Sequence, residues 1–211
     1  MRIPTFLIIN LSLIVNLFSQ SYHENLETIA SENNLVGMSV VVMCQGELTD
    51  SYYFGLADID RQIPVNDKTY YRIASISKTV TASALMKLYE NGLFSLEDNI
   101  NNYLDFDVVN PDYPNDSITF SMLLSHTSGL IDGSGYSNFL SATYNQSPPP
   151  HITELLSPGG TYFTGDMWLN SQPGTYFTYS NINFGLIATL IEQISGQRFD
   201  RFVKDSILNP L

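Results

Sequence analysis

The sequence contains a single cysteine, Cys44, among its 211 residues. One thiol cannot form a disulfide within the chain, so packing and hydrogen bonds must hold the fold together. Cys44 directly follows the mostly apolar run 36–43, and free cysteine is among the most buried residue types. We therefore expect Cys44 to be a core residue and not a nucleophile.

Basic residues are also scarce. Nine lysines and arginines stand against twenty-one acidic residues, which gives a net charge of −12 and a pI of about 4.3. The basic residues form no basic patch, which argues against nucleic acid and anionic membrane surfaces as partners. The histidines, His23, His126 and His151, lie far apart, and none has another histidine four residues away. This spacing argues against a zinc site, and we expect neither a metal nor another cofactor.

Long apolar runs are missing except near the start of the chain. Residues 6–18 are mostly apolar and follow Arg2, but a spanning helix needs about 20 apolar residues. This pattern predicts a signal peptide at 1–20, with a membrane anchor as the alternative. We expect export to a periplasm or the cell exterior, with no stable membrane anchor after cleavage. The remaining residues, 21–211, are enough for one domain with a substantial core.

The order of predicted elements indicates an α+β fold. A short helix is expected within 24–36, followed by an antiparallel hairpin whose strands are 37–43 and 49–58. Helical periodicity then predicts a helix up to Gly92, short helices within 95–104 and 116–129, and helices over 181–196 and 199–208. No strand is expected after the hairpin.

Residues 131–175 lack clear periodicity and are rich in glycine, serine, asparagine, tyrosine and proline. We expect an irregular excursion with at most one helix, near 151–156. An excursion of this length is unusual unless it shapes a site. Its aromatic residues suit either the wall of a cleft or a packed cover over the core.

A serine and a lysine three residues apart, Ser75 and Lys78, lie near the start of the helix that ends at Gly92. Residues at this spacing share a helix face, so a hydroxyl and an amine can meet there. A serine hydroxyl is a weak nucleophile until another group takes its proton, and a lysine amine can do so. Taken alone, the pair also fits a capped helix start with a surface lysine.

A second pair, Tyr179 and Asn181, lies just before the apolar helix at 181–196. A phenol can relay a proton, and a side-chain amide can hold a substrate amide. Four stretches, "YRIASISKTVTA", "LLSHTSGL", "PGTYFTYSN" and "ILNPL", occur in an order and at spacings that resemble the serine β-lactamase-related hydrolases. That family includes class C β-lactamases, D-alanyl carboxypeptidases, D-aminopeptidases and related esterases. The resemblance covers roughly Val36 to Leu211.

The resemblance implies a β-lactamase/transpeptidase-like fold, in which an antiparallel sheet is flanked by helices beside a helical region. It implies that Ser75 is the acyl-forming nucleophile and Lys78 its proton acceptor. Tyr179 resembles the base in deacylation or the acid for the leaving group, and Asn181 the residue that binds the substrate and Lys78. The backbone N–H of Ser75 resembles half of an oxyanion hole. His126 resembles a family marker with a structural role.

Two motifs of serine hydrolases are absent from the sequence. There is no G-x-S-x-G elbow, which argues against a serine–histidine–aspartate triad. The third motif of the family, a lysine- or histidine-containing triplet that ends in glycine, does not follow Asn181. We therefore expect a fragment that lacks the C-terminal strands of the sheet. We expect this chain to be an amide or ester hydrolase or, alternatively, an inactive binding remnant. The sequence does not distinguish between β-lactam, D-amino-acid peptide and ester substrates.

Overall fold

The computed structural model describes residues 22–210, so the predicted signal peptide at 1–20 lies outside the described residues. The chain divides into two compact units between Arg72 and Ile73. We call the described parts the N-terminal unit (22–72) and the C-terminal unit (73–210). No helix among the described residues is long and apolar enough to cross a membrane.

The N-terminal unit contains one helix and a small antiparallel sheet. Helix α1 covers 22–32, and the sheet has the order β1 (Gly37–Cys44), β2 (Glu47–Asp58), β3 (Ile63–Pro64). The predicted hairpin is confirmed, with Gly37 opposite Gly55 and Cys44 opposite Glu47. Its two-residue turn, Gln45-Gly46, has positive φ at both positions, as a tight hairpin of right-twisted strands requires.

Two expectations for this unit were wrong. Strand β3 was not predicted, because two residues are too few for any alternation to be visible. Cys44 is exposed and not a core residue. It is the last residue of β1, beside the hairpin turn, and this end of the strand lies near solvent, with Met43 also 60% exposed.

The C-terminal unit is helical. Helix α2 is Ser77–Glu90, α3 is Phe120–Leu124, α4 is Tyr136–Asn145, α5 is Thr153–Leu156, α6 is Asn181–Ser195 and α7 is Phe199–Val203. A 3-10 turn, Ala74–Ile76, precedes α2, and a second one is Ile100–Asn102. After α7 the chain continues as a π-helical turn, Lys204–Leu208. The helices follow the strands in the chain, as the α+β prediction states.

The core of this unit forms around α2 and α6. The predicted apolar face of α2 is buried at Ala84, Leu85 and Leu88. Helix α6 is the most deeply buried, and its fully or nearly buried apolar residues are Ile182, Leu186, Ile187, Leu190 and Ile191. It ends at Gly196, whose φ of 67° closes the helix in the left-handed region, as the sequence predicted.

The prediction of a helix within 95–104 was wrong. Only the 3-10 turn Ile100–Asn102 forms there. Asp98 accepts hydrogen bonds from the Ser95 N–H and the Tyr103 hydroxyl, and Asn99 accepts one from the Asn101 N–H. Short polar side chains that bind nearby backbone in this way compete with helix formation.

The excursion at 131–175 holds more structure than predicted. Helix α5 was expected near 151–156, but the longer α4 was missed. Its inward residues, Tyr136, Phe139 and Ala142, recur every three residues, a signal that the many serines and asparagines between them obscured. The excursion is tied to the rest of its unit by an antiparallel bridge between Leu130 and Trp168.

Candidate active site

Ser75 lies in the 3-10 turn directly before α2. The sequence predicted an α-helix starting near Ser75, but the α-helix begins two residues later, at Ser77. The preceding residue, Ala74, has a φ of 44°, in the left-handed region that is costly for a residue with a side chain. Strain of this kind concentrates at functional sites. The Ser75 side chain is exposed.

Lys78 stands one turn along from Ser75 and is half-buried. Its Nζ donates to Ser75 Oγ at 3.2 Å and to Asn181 Oδ1 at 2.7 Å. The same nitrogen lies 4.9 Å from the centre of the Tyr179 ring. One amine therefore contacts the other three predicted site residues.

Tyr179 approaches Ser75 from the segment before α6. Its hydroxyl lies 2.7 Å from Ser75 Oγ, and the side chain is 47% exposed. The neighbouring Lys78 amine and then the Ser75 hydroxyl stabilise the phenolate, and together they lower the pKa of Tyr179 below its ordinary value of 10.0. A phenol with a lowered pKa exchanges protons more readily near neutral pH.

The structure thus places all four predicted site residues in one cluster. Ser75 and Lys78 are brought together by the 3-10 turn and the first turn of α2. Tyr179 and Asn181 lie at the junction between the preceding segment and α6. These two segments are more than one hundred positions apart in the sequence, and helix packing joins them. We call Ser75, Lys78, Tyr179 and Asn181 the serine–lysine cluster.

His126 holds the backbone on both sides of Tyr179. Its carbonyl accepts the Thr178 N–H at 2.9 Å, and its Nδ1 accepts the Ser180 N–H at 3.3 Å. The imidazole also lies against the Tyr179 ring, with centroids 4.6 Å apart. His126 therefore fixes the position of the phenol without contacting Ser75, which supports the structural role that the sequence predicted.

A buried hydrogen-bond chain sets the protonation of His126. Ser128 Oγ donates to Asn183 Oδ1 at 2.7 Å, so the Asn183 amide nitrogen points to His126 Nδ1, 3.2 Å away. Nδ1 must then accept hydrogen bonds and carry no proton. Burial, and next the positive charge of Lys78, lower the pKa of His126 below 6.5, which favours this neutral form.

Asp132 is a site residue that the sequence analysis missed. Its Oδ1 accepts from the Ser180 hydroxyl at 3.0 Å, the Asn181 N–H at 2.9 Å and the Ile182 N–H at 3.1 Å. Its Oδ2 accepts from Asn181 Nδ2 at 2.7 Å. In this way the carboxylate caps α6, although Asp132 lies 48 positions before Ser180 in the sequence. No local signal marks it, because Ser180 itself looks like an adequate cap.

Within residues 22–210, the backbone N–H of Ser75 has no backbone acceptor outside its own 3-10 turn. Over the same residues, no group of three or more histidine, cysteine or acidic side chains could hold a metal ion. The chemistry of the cluster is that of a hydroxyl, an amine and a phenol.

Comparison with known proteins identifies relatives over almost the whole described chain. Protein flp of Staphylococcus aureus (strain MRSA252) is 27% identical over 180 residues, which are 85% of this chain and 34% of that protein. Penicillin-binding protein 4* of Bacillus subtilis (strain 168) is 28% identical over 186 residues, 87% of this chain and 38% of that protein. The chain thus spans well under half the length of these relatives.

Solved structures show the same fold. The octameric penicillin-binding protein homologue from Pyrococcus abyssi superposes with a TM-score of 0.70 and 28% sequence identity, over 90% of this chain and 42% of that chain. The chain therefore has the predicted β-lactamase/transpeptidase-like fold, with helices and a small antiparallel sheet. A family model described as Beta-lactamase matches residues 22–211. The chain belongs to the beta-lactamase family.

Proposed function

We propose that this chain carries the catalytic groups of a serine hydrolase that cleaves an amide or ester through an acyl-enzyme on Ser75. One observation carries the proposal: a single hydroxyl, Ser75 Oγ, lies 2.7 Å from the Tyr179 hydroxyl and 3.2 Å from Lys78 Nζ. A serine with two proton-transfer groups in reach has what a nucleophile needs. Membership of the beta-lactamase family supports the same reaction class.

Acylation begins with attack of Ser75 Oγ on the substrate carbonyl carbon. The hydroxyl proton passes to Lys78, which is a neutral amine for this step, and the carbonyl oxygen becomes an oxyanion that the Ser75 N–H can bind. The bond to the leaving group then breaks. Tyr179 gives its proton to the departing nitrogen or oxygen and is left as a phenolate, which leaves an acyl ester on Ser75.

Deacylation reverses these transfers with water as the nucleophile. The Tyr179 phenolate takes a proton from water, and the hydroxide attacks the acyl carbon. The protonated Lys78 returns its proton to Ser75 Oγ as the ester bond breaks. The lowered pKa of Tyr179 makes the phenolate accessible at lower pH than in free tyrosine. Asn181 holds Lys78 through its carbonyl oxygen throughout, at 2.7 Å in the free site.

The names of the relatives indicate which substrate classes to test. Two of them carry penicillin binding in their names, so a β-lactam is one probe, beside a D-amino-acid peptide and a simple ester. We also propose that the chain is exported, on the strength of the predicted signal peptide at 1–20.

The test is labelling of Ser75 in the full chain by p-nitrophenyl acetate, followed by peptide mass spectrometry. The unaltered chain should gain one acetyl group on Ser75. Ser75→Ala should abolish this label, and Lys78→Ala should slow it by about 10²–10⁴-fold because the hydroxyl loses its base. Tyr179→Phe should retain the acetyl group longer, since water then lacks its proton acceptor.

Ser77→Ala is the matched control, because Ser77 is exposed one residue before Lys78 and its hydroxyl takes no part in the hydrogen bonds of the cluster within the described part of the chain. It should label like the unaltered chain. Labelling that persists in Ser75→Ala at the same rate would contradict the proposal. A label that forms and never turns over would instead favour a binding remnant.

A further inference from the structure

We propose that Asp132 is a positioning residue, whose carboxylate fixes the direction of the Asn181 amide and thereby the place of Lys78 beside Ser75. The inference rests on the proposed function of the serine–lysine cluster. It concerns a residue that contacts neither the substrate nor the nucleophile and acts through Asn181.

Asp132 determines which way the side-chain amide of Asn181 points. An ionised carboxylate can only accept hydrogen bonds, so the group of Asn181 that faces Asp132 Oδ2 at 2.7 Å must be the NH2. The carbonyl oxygen of Asn181 is then forced to the other side. There it accepts from Lys78 Nζ, also at 2.7 Å. Without an acceptor at position 132, the Asn181 amide could rotate and present its NH2 to the amine.

Asp132 also restrains the position of Asn181. Asp132 also accepts the N–H groups of Asn181 and Ile182, the first two residues of α6. Both the backbone and the side chain of Asn181 are therefore bound to one carboxylate. A reacting group must be held within about 0.5 Å of its productive position, and such partners provide that restraint. The Ser180 hydroxyl, bound to the same oxygen, orients the segment that carries Tyr179.

The informative variant is Asp132→Asn. Its side-chain oxygen can still accept the N–H groups of α6, so the helix cap is largely retained. Its NH2, however, now faces Asn181. The Asn181 amide must rotate to offer its oxygen to position 132. Its NH2 group then faces the Lys78 amine, so two hydrogen-bond donors meet. We expect acylation of Ser75 to slow by about 10- to 100-fold, by analogy with metal sites, where losing a partner that orients a ligand has an effect of this size.

The matched control is Asp166→Asn. The Asp166 carboxylate accepts the Ser134 N–H at 3.0 Å and a hydrogen bond from Thr164, so it stabilises the backbone two residues after Asp132. Among the described residues, its hydrogen bonds go to Ser134 and Thr164 and not to Asn181. A purely structural effect of losing a carboxylate in this segment should affect both variants equally. Our proposal predicts a slower acylation in Asp132→Asn alone.

Two readouts separate positioning from folding. The first is the pH dependence of deacylation, measured as loss of the acetyl group that p-nitrophenyl acetate leaves on Ser75. The negative charge of Asp132 opposes the Tyr179 phenolate and raises the pKa of Tyr179, so its removal should move the profile to lower pH. The second is the side-chain amide signal of Asn181 in a nitrogen-15 NMR spectrum, assigned by its loss in Asn181→Ala. This signal should shift in Asp132→Asn and stay in place in Asp166→Asn.

Failure of this inference is distinct from failure of the proposed function. If the unaltered chain is not acylated at Ser75, the proposed function fails, but the NMR signal of Asn181 still tests the role of Asp132. An Asn181 signal that is unchanged in Asp132→Asn overturns the positioning role. Equal acylation rates and equal pH profiles in the Asp132→Asn and Asp166→Asn variants would also overturn it.

Discussion

At the scale of single residues, we expect the buried His126 to make the stability of the chain depend on pH. Its Nδ1 accepts two hydrogen bonds, from Ser180 and Asn183, and can do so only in the neutral ring. Burial lowers the pKa of His126 in the folded chain below 6.5, while the unfolded chain keeps an ordinary value of about 6.5. As pH falls below about 6.5, the unfolded state therefore binds a proton first.

The stability that neutral His126 provides is fully present above about pH 6.5 and is lost as pH falls toward the folded-state pKa. The free energy of unfolding, measured by chemical denaturation, should therefore decrease as the pH is lowered from about 7 to about 5. This range lies above the one in which carboxylates titrate.

Substitution of the ring separates this effect from others. His126→Phe keeps the contact with the Tyr179 and Phe184 rings but leaves the Asn183 amide without its acceptor. We expect a loss of about 1–3 kcal/mol at neutral pH, together with a smaller pH dependence. In His151→Gln, which alters an exposed histidine, the slope should persist. An identical slope in His126→Phe would contradict the assignment.

At the scale of elements, the position of α4 depends on one glycine. Gly135 is buried, and a Cβ atom there would lie 1.9 Å from the Tyr162 carbonyl oxygen. Its φ of −72° is ordinary, so close backbone approach, and not conformational strain, requires glycine here. Gly135→Ala must push the 162 segment away from the start of α4. We expect destabilisation of about 1–3 kcal/mol, the usual cost of overpacking.

The measurement is chemical denaturation followed by fluorescence of Trp168, the single tryptophan, which lies in the same excursion. Ser137→Ala, an exposed change in the first turn of α4, is the control and should alter stability by less than about 0.5 kcal/mol. If Gly135→Ala unfolds at the same denaturant concentration as the control, the close approach has no structural importance.

The elements that the sequence predicted well are those with a strong local pattern. The α2 and α6 faces follow a helical repeat of large aliphatic residues, and the hairpin follows a β-branched run with a turn. Helix α4 was missed because its inward positions are aromatic or alanine, with polar residues between them. Asp132 was missed for a different reason: its partners at 180–182 are remote in the sequence, and only tertiary packing brings them to the carboxylate.

At the scale of the whole molecule, buried apolar surface is divided very unevenly. Within the described residues of the N-terminal unit, the only buried apolar residues are Ala30, which is 0% exposed, and Val65, which is 7% exposed. The C-terminal unit contains the hydrophobic cluster around α2 and α6. Isolated two-stranded hairpins are marginally stable, and segments with few buried apolar contacts open at low free-energy cost.

Hydrogen exchange followed by mass spectrometry tests this division on the full chain. Peptides that cover 37–58 should take up deuterium well before peptides that cover 181–195, because α6 opens only when the core unfolds. Raising the denaturant concentration should accelerate exchange in α6 in step with the change in Trp168 fluorescence, while exchange in the hairpin should be nearly insensitive to it. Equal protection of the two segments would show that the sheet shares the cooperative core, and the uneven division of burial would then not govern stability.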